Sequence, residues 1–148
     1  MGRYLMGNNS LAAKAGVAFG AFYVALGVIG FAATGFTGLT AESGDTLLGI
    51  SVNPFHNVAH LGIGAFLIIL SLQKNEAAAE GAVMGVGLFY IVAFVIGVTA
   101  SDNLTILGMR GEGEVANVFH LISGVALLTI GLLSSGATAQ AAKRRGLA

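Results

Sequence analysis

Three histidines are the residues best suited to chemistry in this chain. His56 and His60 are spaced i, i+4, and His120 stands in a similar local sequence. On a helix that spacing puts both imidazoles on one face. At about 100° per residue, Asn53, His56, Asn57, His60, Gly64, Leu67 and Ser71 fall on one stripe, with Phe55, Val58, Phe66 and Ile69 opposite. Gly113, Asn117, His120, Gly124, Leu127 and Gly131 form a matching stripe further on.

This residue set is compatible with three kinds of chemistry. The first is a hydrogen-bond clamp, with His60 and His120 bonded to Asn57, Asn117 or backbone carbonyls of a neighbouring helix. The second is a ligand site. Imidazole suits Zn, Cu, Fe and Ni, so His56, His60 and His120, with Glu114 or Glu112 as a carboxylate, form a candidate metal set. His60 and His120 alone are candidate axial ligands for a haem b between two helices, a site type that bundles host. No CxxCH is present for covalent attachment. Such a haem needs ring-sized space, which Gly64 and Gly124 are expected to provide. The third is a proton or small-solute path, since histidine titrates near neutrality. Tyr23 and Tyr90 are expected to extend the polar cluster or to bond a neighbouring carbonyl.

The elements that must position these residues are membrane helices. The chain has 148 residues, of which 55% are hydrophobic and only 9% charged, against roughly 25% charged in a soluble domain. It has no basic stripe for nucleic acid, no cysteine for a disulfide scaffold, and a mean hydropathy of +0.85 that excludes a disordered chain. A helix needs about 20 mostly apolar residues to cross the hydrocarbon core. Four stretches qualify, at about 13–34, 53–72, 80–100 and 115–135. The first exceeds the length of a signal-peptide core and is expected to be a true span. None alternates as a transmembrane strand would. The fold class is therefore an all-α integral membrane protein, one four-helix domain over residues 1–148.

Charge sets the expected orientation. Arg3 and Lys14 precede the first span, Lys74 separates the second and third, and Lys143, Arg144 and Arg145 follow the fourth. These three regions share one face, leaving Arg110 on the other with Glu42, Asp45, Asp102, Glu112 and Glu114. The positive-inside rule then predicts cytoplasmic termini and histidines in the outer leaflet. Asn103-Leu104-Thr105 fits a glycosylation sequon, relevant only in a eukaryotic secretory pathway.

The chain also reads as an internal repeat. Asn57-Val58-Ala59-His60-Leu61 matches Asn117-Val118-Phe119-His120-Leu121, and Phe22-Tyr23 with Val28-Ile29-Gly30 matches Phe89-Tyr90 with Val95-Ile96-Gly97. Leu48-Gly49 pairs with Leu107-Gly108. Two hairpins, about 13–72 and 80–135, would enter the membrane in the same sense, giving a parallel repeat about an axis along the membrane normal. Gly16 with Gly20, and Gly81 with Gly85, read GxxxG and are candidate close-packing sites.

The HNxxHL element at His56–Leu61 and the NxxHL element at Asn117–Leu121, with Leu48-Gly49 and Gly124, resemble a widespread family of small four-span proteins. That family is common in actinobacteria and related bacteria and is known as a domain of unknown function. The resemblance runs from about Ala12 to Leu133 and implies a four-span fold in a bacterial inner membrane. It implies no catalytic residue. Members often carry Trp where this chain has Val118.

The expected function is that of a small membrane protein without enzymatic activity, an accessory subunit of a larger membrane complex, with bound lipids and with other subunits or its own copies as partners. The alternative is a haem- or metal-binding protein using the histidines. A further alternative is a minimal transporter or channel formed as an oligomer.

Overall fold

A computed structural model of the protein describes residues 9–40, 46–47, 49–99 and 115–146. Four helices account for most of them: α1 (Leu11–Thr34), α2 (Pro54–Ser71), α3 (Glu76–Thr99) and α4 (Val115–Arg144). Each is long and apolar enough to cross a membrane. Two short strands, β1 (Thr46–Leu47) and β2 (Ile50–Ser51), pair antiparallel between α1 and α2. Gly49 turns the chain there with φ of 81°, a left-handed conformation that costs glycine no steric clash.

Helix ends follow local chemistry. The Ser10 hydroxyl accepts from the Ala13 N–H at 3.1 Å and caps α1. Asn53 Oδ1 accepts from the His56 N–H at 2.8 Å and caps α2, with Pro54 in the first turn where its missing N–H costs nothing. The expected spans hold with two changes. α3 starts at Glu76 rather than near Glu80, because Glu76, Ala77, Ala78 and Ala79 continue the helix ahead of the apolar run. α4 runs on to Arg144, through a small-residue tail that ends in Lys143 and Arg144, where basic side chains favour the helix C-terminus.

α1 packs chiefly on α2, and α3 on α4. Apolar side chains face both ways, as a lipid-facing bundle requires. Leu67, Leu127 and Val83 are fully buried, while Val58, Phe66, Ile69, Leu88 and Ile122 are exposed. Phe55 departs from the expected lipid face. It is half-buried, and its N–H donates to the Leu39 carbonyl at 2.9 Å.

The positions matched between the two halves of the sequence make matching contacts. A Cβ on Gly20 would lie 2.7 Å from the Gly64 carbonyl oxygen, and one on Gly87 would lie 3.0 Å from the Gly124 carbonyl oxygen. A Cβ on Gly30 would fall on the Asn57 amide, and one on Gly97 on the Asn117 amide. Both crossings need backbones closer than any side chain allows. The GxxxG reading is half right. Gly16 and Gly20 face α2, but Gly81 and Gly85 are exposed with nothing near them. Gly87 makes the crossing instead, because the buried face of α3 runs through Val83, Gly87 and Tyr90.

Candidate functional site

Both polar stripes point inward. His56, Asn57, His60, Gly64, Leu67 and Ser71 are buried on α2, and Asn117, His120, Gly124, Leu127 and Gly131 on α4. Buried polar side chains inside a membrane domain are costly and mark a partner or a function.

Five rings close into a circle. His56 and His60 have centroids 4.5 Å apart, and His60 stacks on Tyr23 at 5.8 Å. Tyr23 stacks on Tyr90 at 5.1 Å, and Tyr90 meets His120 at 5.3 Å. His120 returns to His56 at 6.4 Å. Each helix contributes: Tyr23 from α1, His56 and His60 from α2, Tyr90 from α3 and His120 from α4. Four members form two matched pairs, Tyr23 with Tyr90 and His60 with His120. His56 is the odd member, since Ala116 occupies the matching place on α4.

The ring borders a small cavity, also lined by Phe22, Leu26, Ile50, Ala116, Phe119 and Ser123. It admits a water-sized body through only about 20 Å³, the room of roughly one water. Its walls are shielded on two sides. Ile50 and Val52 of the β-hairpin segment pack with Ala116 over one end. Leu67, Leu127 and Val83 form an apolar layer beneath the tyrosines. Phe22 and Phe119 line the cavity and are also exposed on the apolar outside of the bundle.

Several polar atoms here have no hydrogen bond. His120 Nδ1 is buried without one, and the Tyr23 hydroxyl faces the Tyr90 and Ser123 hydroxyls without good hydrogen-bond geometry. The expected tyrosine–carbonyl bonds are therefore not formed. The two rings stack on each other, and their hydroxyls face each other and Ser123 instead. Nor do His60 and His120 clamp the helices through Asn57. Asn57 Nδ2 instead donates to Thr34 Oγ1 at 2.9 Å on α1, and Thr34 Oγ1 donates to the Gly30 carbonyl at 3.2 Å. The asparagine does the clamping, and the histidines make ring contacts.

A haem b between His60 and His120 does not fit. Gly64 and Gly124 open no ring-sized space, because the helix crossings consume it, and Tyr23 and Tyr90 stack beside the two histidines. Among the described residues, no group of three or more His, Asp or Glu side chains is placed to hold a metal ion. Glu112 and Glu114, the candidate carboxylates, lie outside the described residues, as do Arg3, Glu42, Asp45, Asp102, Arg110, Gly113, the sequon at Asn103 and the Leu48 and Leu107-Gly108 positions of the repeat.

A second polar cluster, absent from the sequence reading, lies at the other end of the bundle. Glu80 is buried on α3. Ser134 Oγ donates to Glu80 Oε1 at 3.2 Å, and Thr138 Oγ1 donates to the same oxygen at 2.8 Å. The Ala12 N–H, in the first turn of α1, donates to Ser134 Oγ at 3.3 Å. A carboxylate near a helix N-terminus is electrostatically favoured, so one glutamate ties three helices together. The i, i+4 relation of Ser134 and Thr138 was the available signal. No continuous polar path joins this cluster to the ring among the described residues, since the Leu67, Leu127 and Val83 layer lies between.

No curated protein and no solved structure matches the chain. The family model described as "Domain of unknown function (DUF4383)" matches residues 14–133, which takes in α2, α3, most of α1 and α4, both polar stripes and the whole His/Tyr ring, and the chain belongs to that family.

Proposed function

We propose that this is a metal-binding accessory protein of a bacterial inner membrane, without enzymatic activity, whose working part is the His/Tyr ring. The candidate donors are the imidazoles of His56, His60 and His120, with Glu114, outside the described residues, as the candidate carboxylate. The observation that carries this reading is the closed ring itself. Three imidazoles and two phenols from four helices surround a space of atomic size, and His120 Nδ1 is buried there without a hydrogen bond. Buried polar atoms left unpaired call for a reason, and a small ligand supplies one.

In this reading both termini are cytoplasmic, as the basic residues predict, and the ring lies in the outer leaflet. The two hairpins are parallel repeats, and the matched contacts at Gly20–Gly64 and Gly87–Gly124 support that relation. A transporter or channel has the apolar layer of Leu67, Leu127 and Val83 against it.

Purification from its own membrane in mild detergent, with elemental analysis and mass spectrometry of co-purifying chains, tests both halves of the proposal. The expected result is a stoichiometric first-row metal and at least one companion subunit. A metal-free protein, unable to take up any first-row ion, would remove the binding role. A clean monomer or homodimer would remove the accessory role.

A further inference from the structure

We infer that the cleft between α1 and α4 beside the ring binds one long-chain quinone of the bilayer, with a carbonyl oxygen inside the cavity and the chain along α1. This goes beyond the metal-binding reading and does not depend on it.

Hydroxyls supply the head site. Tyr23 of α1, Tyr90 of α3 and Ser123 of α4 bring three of them together at the cavity. Tyr23 and Tyr90 are 3% and 2% exposed, and their hydroxyls meet without good hydrogen-bond geometry. Each hydroxyl has a proton to donate, and a carbonyl oxygen, with its two lone pairs, accepts from two of them. The inner space of about 20 Å³ takes one oxygen atom and not a whole head group. The described lining holds no Asp, Glu, Lys or Arg. A charged phospholipid head would lie there unpaired, at a cost that an uncharged head avoids.

The cleft opens toward lipid. Phe22 of α1 and Phe119 of α4 line the cavity and are 46% and 42% exposed on the apolar outside. Counted out to this open mouth, the unfilled space is about 320 Å³, room for one six-membered ring though not for a haem. Phenyl rings stack on a flat conjugated ring, which a long-chain alcohol or a fatty acid does not have.

The chain has a place as well. Phe22 also lines a shallow groove of about 210 Å³ with Ala18 and Phe19. Leu26, Phe22, Phe19 and Ala18 follow one side of α1 at helical spacing, and the eight residues from Leu26 to Ala18 rise about 12 Å. The groove leads from the ring toward the Glu80 end, through the middle of the span. It follows a single chain, where a phospholipid carries two.

Tyrosine fluorescence provides the test, since the chain has no Trp and three Tyr. Chelator-stripped protein carrying Tyr4→Phe, which leaves Tyr23 and Tyr90 as the emitters, is titrated in phosphatidylcholine nanodiscs with decylubiquinone, a quencher on contact. The expected result is saturable quenching at one quinone per chain, not displaced by equal amounts of decanol or decanoic acid. Ser123→Ala should weaken binding about three- to tenfold, and Ser123→Leu, which fills the cavity, should abolish it. If a variant fails to fold, photolabelling of the unaltered chain with an azidoquinone decides, with label expected on the α1 and α4 segments that carry Phe22 and Phe119. Quenching that never saturates, or that is the same in Ser123→Leu, is partition into the bilayer and overturns the inference. Displacement by decanol or decanoic acid, or label confined to other segments, overturns it too. Because the protein is stripped of metal beforehand, either result leaves the metal-binding reading to its own test.

Discussion

The bundle buries two polar clusters, one toward each end, and they are built differently. Around Glu80, donors and acceptor are matched. Two hydroxyls reach the carboxylate, and one of them also receives a backbone N–H from α1. Around the His/Tyr ring, ring contacts dominate, His120 Nδ1 has no hydrogen bond, and the Tyr23 and Tyr90 hydroxyls meet without good hydrogen-bond geometry. A fully satisfied buried network holds helices in place, whereas a partly satisfied one carries a cost that stability alone does not explain. In the proposed reading, the contrast makes the Glu80 cluster structural and the ring the binding site.

The largest expected effect falls on the helix crossing just below the ring. Gly64 sits one turn beyond His60, and a Cβ there would lie 2.6 Å from the Gly20 carbonyl oxygen. Gly64→Val should cost about 3 kcal/mol of stability, measured by unfolding in mixed micelles, and should displace His60 from Tyr23. Stability unchanged by this substitution would mean that the crossing does not set the ring spacing. Glu80→Leu comes next. It strands the Ser134 and Thr138 hydroxyls and should cost about 2 kcal/mol while leaving metal uptake intact. Loss of uptake instead would show that the two clusters are coupled.

Asn57→Leu should cost roughly 0.6–1 kcal/mol, the usual worth of an interhelical hydrogen bond in a membrane, because it removes the bond to Thr34 at 2.9 Å. A larger loss would make the asparagine, rather than the glycine crossing, the chief tie between α1 and α2. Tyr90→Phe is the smallest. It removes a buried hydroxyl whose contact with the Tyr23 hydroxyl lacks good hydrogen-bond geometry, so stability should change by less than about 0.5 kcal/mol in either direction. A loss comparable to that of Glu80→Leu would erase the contrast between the clusters.

Much of this was legible in the sequence. A period of 3.6 placed both histidines of α2 and that of α4 on buried faces, because a helix fixes which residues share a side. The repeat matches Tyr23 to Tyr90 and His60 to His120 from sequence alone. Closure of the ring was not legible, since it depends on how four helices turn toward one another. The Glu80 cluster was hidden for a similar reason: its partners are far away in sequence, and Glu80 stands at the edge of an apolar run where an exposed acid is ordinary. Gly81 and Gly85 misled because GxxxG specifies spacing but not which face of the helix is buried. The β-hairpin over the cavity rests on strands of two residues, too short for alternation to register.

The central claim is that the ring is kept for what it binds and not for stability. Its most direct test is the double substitution His60→Leu/His120→Leu, with unfolding free energy and metal uptake measured on the same preparation. Replacing buried polar groups by apolar ones of similar size is often neutral. The account therefore predicts stability within about 1 kcal/mol of the natural protein and metal uptake reduced to background. A loss of more than about 2 kcal/mol with metal uptake unchanged would contradict it and make the ring a structural clamp.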